Sequence, residues 1–483
     1  MTDSSLTSST IPPDYFALYR NVVHVDAYAS VQEAANAIPA TGGTLQFSAK
    51  IYEGLQDVAL KSNTLVRGEG YGTVLKSTGA GGWRVFRNTT QIQNVGFENL
   101  KMDLNNPGTD TGSGTGSPDN FGACIQMRDC ENIWVDRVWF TNSRDATVNM
   151  EFSLFSFWSD GCRNVSITNS FHEHLEISVG GTSSTIAPTL KGLGNNIRIR
   201  GNRLTNSKQF AIFVAGPNLG IVSTQILVCE NDIENPRSAG VLLVDDSESG
   251  GGETMTATNW ICTDNVITIS SLADNNCKGI FAKLASSTHN VRIAGNQVYC
   301  DNPTTITDAI GVSIASNETS GAALAVVRNI QVAHNQIVNC LSGAFRYSGQ
   351  GDGISFIGNQ SFNSRGIDVL ALGCIDMLRI SNNDFDGGSD TSANGIEIEC
   401  GVHTITRLRV NGNTSIHHRR GIRLIGASGG AIIGDINDNT FGDNSMRSAD
   451  ESGAATFAGV HWNSNNFGGG PKNISGTEYN SRT

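Results

Sequence analysis

The carboxylates with the most regular setting follow a recurring Gly-Ile-x-apolar pattern: Asp368 in RGIDVL, and Glu397 and Glu399 in NGIEIE. AGVLLV, KGIFAKL, IGVSIA, RGIRLI and AGVHW share the pattern. Read as strands, these segments turn the residue after Gly inward and the next one outward. Outward positions on consecutive units are then Asp368, Glu397 and Arg423, with His461 one strand later and Glu399 two residues beyond Glu397. Strands stacked about 4.8 Å apart would set Asp368 beside Glu397. Two carboxylates that close repel, which raises one pKa and leaves the other group ionised. The split supplies an acid and a base or nucleophile, as glycoside hydrolysis requires. Arg423 or Arg346 would instead neutralise a uronate carboxylate, as a lyase needs before it removes the adjacent proton. The plainer reading of the same residues is a solvated ladder of alternating charges on an exposed sheet.

Two further clusters have the right residue types. FHEHLE carries His172, Glu173, His174 and Glu176; on a strand the two histidines would share a face that zinc could use, although no third ligand is identifiable. Asp245 and Asp246 precede SESGGGE, either as an adjacent acid pair or as a strand end entering a polar loop.

The elements that position these residues repeat. NVGFENL, NVSITNSF, NIRIRGNRL, ILVCENDI, ICTDNVI, VRIAGNQV, IQVAHNQI, ISFIGNQS, LRISNNDF, LRVNGNTS and GDINDNTF each place an Asn between two apolar strands. The shared Asn falls at Asn99, Asn169, Asn202, Asn231, Asn265, Asn296, Asn335, Asn359, Asn383, Asn413 and Asn439, with Arg137 of NIWVDRVWF in the same register. Spacings from 24 to 39 residues fit one solenoid coil of three short strands with variable loops. No coil buries its apolar face alone, so coils stack around one continuous core. Asn suits the bend because it tolerates the left-handed conformation and bonds locally, and stacked amides can bond to one another. The fold expected is all-β: a single right-handed parallel β-helix of about 12 coils. Val31, Ala34, Ala35 and Ile38 recur at helical spacing within residues 30–39, a short helix that would plug the open N-terminal end. The organisation expected is an arm over 1–22, the β-helix over 23–441, and a terminal cap or oligomer contact over 442–483.

Composition agrees with a repetitive β architecture: 55 Gly against 10 Pro, 16% charged and 7% aromatic residues. A formal net charge of −12 opposes general binding to nucleic acid or an anionic membrane, while leaving room for a local basic groove. No apolar run approaches the roughly 18 residues of a membrane span. MTDSSLTSSTIPPDY has neither the basic nor the apolar region of a secretory leader, so synthesis and use without signal-dependent export is expected. The ten cysteines are scattered without a CxxC pair and read as buried thiols.

VQEAANAIPATGGTLQF, LVRGEGYGTVL and the coils that follow resemble the pectate-lyase-like superfamily over most of residues 23–441. ENIWVDRVWF is similar to the vWiDH signature of pectate lyases, and RDATVNM to the Asp-Gly-Leu-Ile-Asp strand whose two acids bind calcium in those enzymes. Here Asp145 keeps the first acid, Asn149 replaces the second, Arg137 stands for the signature His and Leu175 for a Lys on the next coil. Arg-x-Pro-Arg-x-Arg and Gly-His-Gly motifs are absent. The resemblance implies the fold rather than pectate cleavage, and leaves Asp145, Asn149 and Glu176, with Glu173, as a degenerate calcium site. Calcium takes six to eight oxygens, more than these residues offer, so no cofactor is required by this reading.

The chain also resembles phage tailspikes, which are made in the host cytoplasm, are typically homotrimeric and bind or cut bacterial surface polysaccharide. The leading expectation is a trimeric tailspike-like protein of the virion tail that binds such a polysaccharide, in contact with other tail proteins through its short arm or an adaptor. A secreted polysaccharide lyase or glycoside hydrolase, and a non-catalytic adhesive β-helix, are the alternatives.

Overall fold

The computed structural model describes residues 21–479 apart from 79–83, 89, 106–121, 144–153, 181–195, 208, 216–221, 245–255, 271–272, 275, 285–287, 302–307, 317–325, 365, 389–391, 469–470 and 475–476. Most coils contribute three strands, and all the pairings between coils are parallel. Among the described residues, 28 strands form sheet I and 14 form sheet II. In most coils sheet I carries two strands, one on each side of the Asn bend, while Gln93–Asp103 and Glu131–Thr141 run through it unbroken; sheet II carries the Gly-Ile strands. The chain is a right-handed parallel β-helix, the hand that parallel crossover connections favour. Pairing continues past residue 441, through Arg447–Gly453 and Thr456–Asn463.

Strand periodicity builds the core. In sheet II, Ile280, Val312, Phe345, Val369, Ile396 and Ile422 lie in register on successive coils and are fully buried. Each coil thereby buries its apolar row against the next. At the N-terminal end the helix Val31–Ala37 buries Val31, Ala34 and Ala35. Ser30 caps it by accepting from the Glu33 N–H, while Glu33 accepts from the Ala29 N–H, so two otherwise unpaired amides are satisfied reciprocally.

The bend explains the recurring Asn, with one correction of register. Asn202, Asn231, Asn265, Asn296, Asn335, Asn359, Asn383, Asn413, Asn439 and Asn465 form an unbroken buried ladder. From Asn231 on, each Oδ1 accepts from both the backbone N–H and the Nδ2 of the Asn one coil before; for Asn359 both distances are 3.0 Å. Each Nδ2 also reaches a carbonyl, as Asn359 does to Val332 at 2.9 Å. These residues are not the left-handed ones. The positive φ belongs to the residue before, such as His334 or Asn382, and Asn99, Arg137 and Asn169 occupy that preceding slot with φ of 53°, 53° and 49°. Leu100, Val138 and Ser170 stand at the ladder position there. Two adjacent slots select Asn for different reasons, one for local backbone freedom and one for an amide that both donates and accepts.

The ten cysteines are free thiols; nine are buried and Cys374 is partly exposed. Burial pushes the Cys277 thiol up to about 12, which keeps it protonated and unreactive.

Candidate functional site

The outward row of sheet II runs Phe281, Ser313, Arg346, Leu370, Glu397, Arg423 and Asp450 on consecutive coils. Arg346, Glu397 and Arg423 are therefore where the sequence places them. Asp368 is not. Its strand Ile367–Leu372 pairs Val369, not Ile367, with Ile396, so Leu370 is the neighbour of Glu397. Asp368 falls in the inward slot that Gly395 and Gly421 fill on the next coils, and it is completely buried. Its Oδ1 accepts from Ser361 Oγ at 2.6 Å, and its Oδ2 lies 2.6 Å from Nε2 of the equally buried His418. Ser415 Oγ lies 3.3 Å from His418 Nδ1 and donates to the Gly421 carbonyl, so the chain of contacts ends inside the solenoid. The expected Asp368–Glu397 pair does not form.

His461 also leaves the row. AGVHW matches the Gly-Ile pattern but belongs to the sheet I strand Thr456–Asn463, where His461 Nδ1 lies 3.4 Å from Asp435 Oδ1. The sheet II strand after Arg420–Gly426 is Arg447–Gly453, which brings Asp450 beside Arg423. RSADESG lacks the Gly-Ile signature, so the sequence pattern passes over it.

Glu397 and Asp450 thus flank Arg423 on alternate coils, and donors engage both. Asn394 Nδ2 donates to Glu397 Oε2 at 2.5 Å, and Arg423 Nη1 lies 3.4 Å from the same oxygen. Asp450 accepts from Asn473 Nδ2 at 3.0 Å and from Arg447, with Arg420 Nε 2.9 Å and Arg423 Nε 3.7 Å away. Burial pushes the Asp450 carboxyl up. The hydrogen bonds from Asn473 and Arg447, with the Arg447 and Arg420 charges, more than offset this and hold it below the usual carboxylate value. The arrangement is a charge ladder that ties the last coils together, with no proton to donate from Asp450 near neutral pH.

Glu399 has different surroundings. It closes the strand Asn394–Glu399 and lines a cleft of about 420 Å³ at the corner between the sheets, with Ser316, Ser348, Leu372, Cys400 and His403. Two corner glycines, Gly349 and Gly373, line the same cleft with φ of 126° and 118°. A Cβ on Gly349 would meet Ser316 Oγ at 1.7 Å, and one on Gly373 the Gly349 carbonyl at 2.1 Å. Bare backbone at this corner is therefore enforced by the stacking of the coils. Among the described residues neither the Glu399 carboxylate nor the His403 imidazole has a hydrogen-bond or ion-pair partner. Sequence reasoning missed His403; its only signal is its position four residues after Glu399.

Of the expected calcium ligands, Asp145 and Asn149 lie outside the described residues, as do Asp245 and Asp246. Glu176 is fully buried and its Oε1 accepts from the Gln209 N–H at 2.7 Å. No group of three His, Cys, Asp or Glu side chains converges among the described residues. His172 and His174 do not share a face. His172 is inward, stacked on Phe140 at 4.9 Å and in contact with Ser156 Oγ at 2.7 Å, while His174 takes a left-handed bend with φ of 62°. Arg137 is likewise a bend residue, bonded to Asn99 Oδ1 at 3.0 Å and paired with Asp136 at 3.1 Å.

No helix among the described residues is long and apolar enough to cross a membrane. Neither a protein-family model nor a curated protein sequence matches the chain. Solved structures do. PfbA, a surface adhesin of Streptococcus pneumoniae, aligns with a TM-score of 0.52 at 15% identity over 76% of this chain and 90% of its own. A double mutant of the tailspike protein of E. coli bacteriophage HK620 aligns with a TM-score of 0.54 at 12% identity, over 89% of this chain and 76% of its own. A single mutant of that tailspike in complex with a pentasaccharide gives a TM-score of 0.50 at 12% identity over the same shares. The chain has the right-handed parallel β-helix fold that these adhesin and tailspike structures share.

Proposed function

We propose that the chain is a tailspike-like protein that binds a bacterial surface polysaccharide along the outer face of sheet II. The observation that carries this reading is the run Phe281–Ser313–Arg346. A half-buried ring and an exposed guanidinium stand one coil on either side of a serine that is only 5% exposed. Coils stacked about 4.8 Å apart leave a notch roughly 10 Å across at the backbone, wide enough for a sugar ring. The Phe281 face offers apolar packing, and Lys278 Nζ sits 4.7 Å from its centroid. Arg346 has no ion-pair partner among the described residues, so its donors are available to hydroxyl or carboxylate oxygens. The fold shared with a pentasaccharide-bound tailspike and with a surface adhesin supports the reading. By the same reading the protein is a homotrimer carried on a virion tail, docked to other tail proteins.

Bacterial capsules and lipopolysaccharide O-chains cast into native gels are expected to retard the chain, and Arg346→Ala to weaken the apparent affinity about 10-fold or more, the loss of a charge-assisted hydrogen bond. A mass in solution of three chains is expected alongside. No retardation by any of these polysaccharides would overturn binding, and a monomer would overturn the spike.

A further inference from the structure

We propose that the corner cleft is a glycoside-hydrolysing site in which Glu399 is the general base and His403 the general acid. The inference rests on polysaccharide binding along sheet II, because the strands that form the binding notch also form the cleft. Ile310–Ser316 carries Ser313 into the notch and Ser316 into the cleft, and Gly343–Ser348 does the same with Arg346 and Ser348. A glycan lying across Ser313 thus runs onto the glycine corner.

Three observations separate this cleft from the rest of the molecule. The carboxylates of the outward row from Phe281 to Asp450 are engaged: Glu397 by Asn394 and Arg423, Asp450 by Asn473 and three arginines. Among the described residues Glu399 is not, and the imidazole that shares its cleft is not either. Groups held by fixed partners cannot exchange protons with a substrate without first losing those partners, whereas Glu399 and His403 can. Gly349 and Gly373 line the cleft with backbone alone, because the neighbouring coils leave no room for a Cβ at either position. The volume, about 420 Å³, holds a sugar residue together with a water.

The step follows from having one carboxylate and one imidazole. Glu399 takes a proton from a water as its oxygen forms a bond to the anomeric carbon. The bond from that carbon to the glycosidic oxygen breaks, its electron pair goes to the oxygen, and His403, as imidazolium, protonates it. Water is added across the bond, and the two proton changes on the enzyme reset through solvent. Attack of water opposite the leaving group inverts the anomeric centre.

The test uses the full chain with E. coli lipopolysaccharide O-chains, pneumococcal capsule and sodium polygalacturonate, each assayed for gel retardation and for release of reducing ends. A polysaccharide that retards the chain is expected to be cut without gain of the ultraviolet absorbance of unsaturated sugars. Glu399→Gln should lower kcat at least about 10²-fold, within the range of general acid–base catalysis. His403→Gln should lower it similarly and remove the alkaline limb of the pH–rate profile, which a merely structural role would leave in place. Both variants should keep wild-type retardation and melting temperature. Retardation without cleavage, an unsaturated product, or wild-type kcat in either variant would overturn the site while leaving binding intact. If none of the three polysaccharides retards the chain, the binding reading fails and the inference fails with it.

Discussion

Asp368→Ala is expected to destabilise the fold by about 1–3 kcal/mol for each buried hydrogen-bonding group it strands. Asp368 and His418 are both fully buried and 2.6 Å apart, fifty residues from each other in the chain. Asp368 also accepts from Ser361, which lies 2.9 Å from Ser364. Removal of the carboxylate strands the imidazole Nε2 in the core and leaves Ser361 only its Ser364 contact; an unpaired buried polar group costs far more than its bond was worth. His418→Ala should cost a comparable amount. Loss of both partners should cost less than the sum: Asp368→Gly, the residue type that fills this slot on the next two coils, combined with His418→Phe should recover much of the loss. Urea midpoints at constant m-value measure this, and additive effects in the double variant would show that the two side chains do not act as a pair.

Acid should destabilise the protein through His172 by about 1.4 kcal/mol per pH unit, between the ordinary histidine value and about 3. Burial holds the His172 imidazole neutral and drops its pKa to about 3, against a smaller opposing effect of a hydrogen bond with Asn202. The unfolded chain binds this proton below about pH 6.5, whereas the folded chain does so only near 3. The contribution is thus fully present above the unfolded value and is lost as pH falls through the window toward the folded one. His172→Phe, which keeps a ring stacked on Phe140, should flatten the fall in stability between pH 6 and pH 4 relative to the parent. Parallel stability curves for the two proteins across that range would contradict the assignment. Asp450, also held below its ordinary value, adds its own loss only at the acid end and does so equally in both proteins.

The solenoid, its three-strand coil and the capping helix were legible because each is written as a period. The coil spacing, the strand alternation and the Val31–Ala37 face all survive in the structure. Register within the period was harder. Asn marks two adjacent bend slots, so Asn99 and Asn169 aligned one residue away from the ladder that begins at Asn202. Gly-Ile marks a strand start only where Gly fills the crowded inward slot. In RGIDVL that slot is Asp368, and matching Gly to Gly displaced the strand by two residues and turned a core carboxylate outward. AGVHW carries the same letters into sheet I, and RSADESG forms a sheet II strand without them. The cleft around Glu399 and His403 arises from four coils meeting at a corner, a juxtaposition that no single segment encodes.

Polysaccharide binding on sheet II rather than sheet I is the central claim, and gel retardation of two variants against the parent tests it most directly. Phe281→Ala with Arg346→Ala removes both walls of the notch. Tyr71→Ala with Arg203→Ala trims the other aromatic and cationic surface, where Tyr71 packs on Trp139 at 5.9 Å and Arg203 lies 5.9 Å from the Phe171 ring. The first variant is expected to lose retardation by a polysaccharide that binds the parent, and the second to keep it. Retardation lost only in the second would place the glycan on sheet I and contradict the account.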